Sequence, residues 1–164
     1  MNGAHFHLVV NHLPIIFPVV GIIVLATGFI SKSEAIKRTA LLIFILGGLS
    51  AILAMSSGEG AEEIVEKVKV GAENLMEAHE EAAERFALLS YVLSGLSLFG
   101  LWFSFKQKAY SNLIAIGILV FAIIVLFFAK QTGTSGGEIS HPEIVNSNNS
   151  SLIDIKKDNE EEDD

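Results

Sequence analysis

NLIAIGILVFAIIVLFFA, residues 112–129, holds eighteen consecutive residues without a charge and ends at Lys130. An α-helix needs ~20 residues to cross ~30 Å of hydrocarbon at ~1.5 Å per residue, so this run has the length of a membrane span. Three further runs match it, at residues 8–30, 39–55 and 86–105. Lipid offers no partner to a backbone amide, which makes apolar runs of this length helices and not strands. Four crossings are also too few for a closed barrel. The sequence therefore predicts an all-α, antiparallel bundle of four transmembrane helices.

Composition agrees. The chain is 51% hydrophobic and 18% charged, with a mean hydropathy of +0.51, which is too apolar and too segregated for a water-soluble domain. The lipid bilayer is the expected surrounding. The formal charge of −8 is concentrated in residues 59–84 and 158–164, and no basic face exists to neutralise phosphates, so nucleic acid is not an expected partner. The absence of cysteine excludes disulfides, thiolate zinc sites, covalent c-type haem and thiol catalysis.

Orientation follows from the short connections. Lys32, Lys37 and Arg38 lie between the first and second runs, and Lys106 and Lys108 between the third and fourth. These connections are expected on the cytoplasmic side of a bacterial inner membrane, with both termini and the Glu-rich segment 59–85 in the periplasm. The first run is too long and its leader too neutral for a cleaved signal. Residues 1–145 then form the membrane domain. Within segment 59–85, a short amphipathic helix is predicted over 61–70. After a break at Gly71, a long helix is predicted to run into the third span. Residues 146–164 are polar and acidic, and are expected to be disordered. Paired glycines, Gly21 with Gly28, Gly47 with Gly48 and Gly95 with Gly100, offer small surfaces for helix packing.

Chemistry is expected at the outer end. Three of the five histidines, His5, His7 and His12, fall within HFHLVVNH, while His79 precedes the third span and His141 follows the fourth. His5 and His12 are seven apart and share a helical face, with His7 pointing elsewhere. Eighteen residues separate His12 from Ile30, or ~27 Å at ~1.5 Å per residue, so His12 sits at the outer edge of the hydrocarbon beside Ser57, Glu59, Arg85 and Lys130. Pro14 and Pro18 should bend the first helix just below it.

Two neutral imidazoles from different helices suit a b-type haem: His12 or His5 on the first helix, His79 on the third, with Arg85 and Lys130 facing the propionates. Met76 is one turn from His79 and more in keeping with packing. A zinc or copper site drawing on His5, His7, His12, His79 and His141, helped by Glu80 or Glu59, is a second arrangement. A third is that the histidines hold no cofactor and the chain is a structural or accessory subunit. The partners these readings imply are a periplasmic cytochrome or respiratory complex, or further copies of the chain. No charge sits at the middle of any span, which argues against a proton-driven pump. No nucleophile stands near a base at catalytic spacing, so an enzyme is not expected.

HFHLVVNHLPI at the first helix, ATGF at its end, SGEGAEE after the second, MEAHEEA before the third and GGEISHPEI after the fourth together resemble a bacterial family of membrane proteins without an established activity. The resemblance spans residues 4–145 and falls on His5, His12, Pro14, Gly28, Gly60, His79, Gly136, Gly137 and His141. Some members are fused to, or encoded near, cytochrome c-like domains, and the resemblance thereby implies an electron-transfer setting.

Overall fold

The computed structural model describes residues 3–68, 73–106 and 108–141. The expected break at Gly71 and the expected disordered tail 146–164 lie outside the described residues. Five helices follow in order: α1 (Gly3–Val10), α2 (Leu13–Ile30), α3 (Glu34–Val68), α4 (Glu73–Lys106) and α5 (Lys108–Ser140). α2 packs on α3, α3 on α4 and α4 on α5, and α5 closes the ring against α2, while α1 lies on α3. α2 and α4 therefore occupy opposite corners of an antiparallel four-helix bundle. Four stretches, His5–Ile30, Glu34–Gly58, Glu73–Lys106 and Tyr110–Ser140, are long and apolar enough to cross a membrane, and the protein is a multi-pass membrane protein.

The break between α1 and α2 has a simple cause. Pro14 has no N–H for the Val10 carbonyl, and the two N–H groups that follow, from Ile15 and Ile16, both turn to the His12 carbonyl, at 3.2 and 3.0 Å. The last N–H of the upper segment, from Asn11, still reaches the His7 carbonyl at 2.9 Å. At the other end of α2 the chain reverses within residues 31–33. Lys32 takes a left-handed conformation, with φ of 51°. Its N–H returns to Phe29 and that of Ser33 to Gly28, which together close a Schellman cap. The Ser33 hydroxyl then receives the Ile36 N–H, so one serine ends the turn and starts α3.

The separate amphipathic helix expected at 61–70 is not formed. α3 runs on from the second span to Val68. The Ser56 and Ser57 hydroxyls donate to carbonyls of their own helix, at Leu53 and Ala54, and so do not act as caps of a new one.

The interior combines large apolar side chains such as Leu25, Phe44 and Leu93 with small ones, and the outside is apolar as well. Ser90, Ser97 and Ser104, spaced by seven on α4, are buried together with Gly21, Gly28, Gly48 and Gly100. Leu98, Leu113 and Ile30 lie 61%, 68% and 84% exposed. Small interior residues let helices approach when lipid solvates the outside. Gly95, expected at a packing surface, faces outward with nothing near it.

A polar clamp joins all four long helices at the α2–α3 turn. Lys37, 6% exposed, packs against Gly28 of α2 and donates to Glu34 and to Asn112 of α5. Arg38 donates to the hydroxyl (3.0 Å) and the carbonyl (2.7 Å) of Ser104 and lies over Phe105. The cation near the C-terminus of α4 meets the negative end of that helix.

Candidate imidazole site at the bundle mouth

The end opposite the clamp carries the histidines. His7, Pro14, Gly21 and Gly28 are seven apart, and so are His79, Phe86, Leu93 and Gly100. Pro14, Gly21 and Gly28 form the buried face of α2, and Phe86, Leu93 and Gly100 that of α4. His79 is thus the outward continuation of the core stripe of α4, whereas His7 is separated from the stripe of α2 by the break at residues 11–12. Both are half-buried; His7 is on α1, which lies on α3, His79 is on α4, which packs against α3, and His79 lies within electrostatic reach of His7.

The carbonyl partner of His7 fixes its tautomer. His7 Nδ1 lies 3.1 Å from the Ala54 carbonyl oxygen, which can only accept, so Nδ1 carries the proton. The same N–H points at Ser57 Oγ, 3.0 Å away, whose own proton goes to Leu53 or Ala54. His79 Nδ1 is 2.9 Å from Ser135 Oγ. Ser135 also lies 3.1 Å from the Thr132 carbonyl, and when it donates there its oxygen is free to receive the His79 N–H. Thr132 in turn donates to the Ala82 carbonyl at 2.9 Å, tying α5 to α4 beside the ring. In His7 the Nδ1 proton leaves Nε2 with an available lone pair, and the Ser135 contact permits the same tautomer in His79. A protonated, anchored Nδ1 is how proteins present the other ring nitrogen to a metal. Gly136 makes room for this arrangement: a Cβ there would come within 3.1 Å of His79 Cε1.

The other expected residues lie elsewhere. His5 and His12 are exposed, and His12 sits at the α1–α2 break. His141 is exposed just past α5. Arg85 points outward and pairs with Glu81 at 2.7 Å. Lys130 lines a groove on the outside of α5. Met76 is partly buried, Glu80 is exposed, and the Glu59 side chain lies outside the described residues. Among the described residues no three His, Asp or Glu side chains meet where they could share a metal ion. Ser135 and Thr132 join the site without a mark in the sequence. Asn11 Oδ1 is buried and without a partner. Comparison with family models, curated proteins and solved structures finds no match to the chain.

Proposed function

We propose that the chain is a small electron-transfer protein of a bacterial inner membrane, in which His7 and His79 would hold a b-type haem at the periplasmic end. The observation that carries this reading is the pair of Nδ1-anchored, half-buried imidazoles on α1 and α4 at one bundle end, neither using Nε2 in these hydrogen bonds. The donor set fits the group: two neutral imidazoles at an apolar bundle end are a standard haem environment. The propionate partners expected in Arg85 and Lys130 do not fit as well, since one is paired with Glu81 and both face outward. Bound haem would supply one-electron chemistry. The chain's own part is to hold the two rings in one tautomer, through Ala54, Ser57 and Ser135, and to keep water from their buried edges. The inward direction of the clamp end is supported by Lys32, Lys37, Arg38, Lys106 and Lys108.

An absorption spectrum of the detergent-purified protein tests this. Paired imidazole ligation gives a reduced-minus-oxidised band that is lost in His7→Ala and in His79→Ala but retained in His12→Ala. Absence of the band from the folded wild type ends the haem reading. In that case the alternative is an accessory subunit. It is favoured by the reach of α3 to Val68 and the start of α4 at Glu73, which carry an acidic helical pair beyond the apolar runs and toward a partner.

A further inference from the structure

On the outside of α5 a groove of about 410 Å³ is lined by Phe127, Lys130, Gln131, Thr134, Ser135 and Glu138. It opens where the apolar run ends, and its lower wall continues into an exposed stripe of Val120, Ile123, Ile124 and Phe127, all 48% exposed or more. In a bilayer the molecule that lies against such a stripe is a lipid, with its headgroup at the level of the groove. We infer that the groove is a binding site for a phospholipid whose headgroup ends in a primary ammonium, as in phosphatidylethanolamine.

Charge order along the groove argues for that class. Lys130 is nearest the apolar stripe, where the lipid phosphate sits, and Glu138 lies eight residues farther out, ~12 Å along the axis at ~1.5 Å per residue. Their side chains, extended toward one another, span a phosphate followed by an ammonium. The Lys130, Gln131, Thr134 and Glu138 side chains have no partner among the described residues, which leaves a cation, an amide and a hydroxyl for the phosphate and a carboxylate for the amine. Ser135 is already committed to Thr132 and His79. A headgroup without a cation, such as glycerol phosphate, would leave Glu138 facing the lipid's own negative charge. A quaternary ammonium has no N–H to give the carboxylate. The site does not depend on the haem reading.

Native mass spectrometry of the purified full chain, titrated separately with phosphatidylethanolamine, phosphatidylglycerol and phosphatidylcholine, tests the inference. Wild type retains phosphatidylethanolamine about fivefold more tightly than either of the others, the size expected of one surface charge contact. Glu138→Gln removes this preference, and Lys130→Gln weakens all three lipids by about fivefold. Both positions are on the outer surface of α5, and an unchanged melting temperature in detergent verifies that the variants are folded. Equal retention of the three lipids by wild type overturns the proposal. So does a phosphatidylethanolamine affinity that neither variant changes.

Discussion

A single methyl group at Gly48 would press on the Ser94 side chain and come within 3.1 Å of the Ser90 carbonyl oxygen. The backbone oxygen cannot move aside without distorting α4, so Gly48→Ala should destabilise the bundle by about 1–3 kcal/mol. Gly95→Ala adds the same methyl where nothing lies within 4 Å, and should change stability by less than about 0.5 kcal/mol. Thermal melts in one detergent compare the two, and equal losses would refute the packing drawn here. The same scale explains which histidines were legible. His5 and His12, read as one helical face, fall on no common helix: His5 is on α1 and His12 at the break after it, and both are exposed. His7 shares its seven-residue spacing with Pro14, Gly21 and Gly28, so the buried stripe was already written in the sequence. His79 stands in the same series as Phe86, Leu93 and Gly100 of its own helix, a mark that the sequence carries, while for His7 the break between α1 and α2 interrupts the series. Ser135 and Thr132 carried no comparable mark, because hydroxyls near a helix end are common and only the approach of α4 gives these two a partner.

α1 is an eight-residue helix, too short to persist alone in water or at a lipid surface. The Pro14 break removes the hydrogen bond that would let α2 support it, so α1 must be held by α3, through Val10 packing and the His7 bonds to Ala54 and Ser57. His7→Ala should therefore speed amide exchange across residues 3–10 by about fivefold, the equivalent of one net hydrogen bond, and leave α2 unaffected. Adding Pro14→Ala should cancel most of this, since the regained N–H rejoins α1 to α2. Hydrogen–deuterium exchange in micelles reads both, and unchanged exchange in His7→Ala would show that α1 is held in some other way. The helices themselves were legible because lipid permits little else: the runs 8–30, 39–55, 86–105 and 112–129 all lie inside the helical stretches that are long and apolar enough to cross a membrane. Their ends were less so. The second run ends at residue 55, yet Ser56 and Ser57 bond back to their own helix's carbonyls and α3 continues to Val68.

Across the whole molecule, the solvent decides which side of each helix is inside, and two adjacent residues on α4 report it. Ser97 is fully buried with its hydroxyl unpaired, and Leu98 is 61% exposed. In water such a molecule would bury Leu98 and expose Ser97, because apolar area removed from water is the main driving force of folding. In lipid that force between helices is absent, and the interior goes to whichever side chains let the backbones approach. The two solvents predict opposite responses. In lipid, Ser97→Leu overfills a close contact and should cost about 1–3 kcal/mol, although it makes the sequence more apolar. Leu98→Asp, harmless on a water-facing surface, should cost about 3 kcal/mol of insertion free energy near the centre of a span. A melt in liposomes measures the first and a glycosylation-tagged insertion assay the second. If Leu98→Asp inserted as well as wild type while Ser97→Leu raised the melting temperature, water would be the solvent of this face and the membrane bundle would have to be abandoned. With Leu98 among more than a dozen large apolar side chains on the outside of the spans, and Ser90, Ser97 and Ser104 within, lipid accounts for the arrangement and water does not.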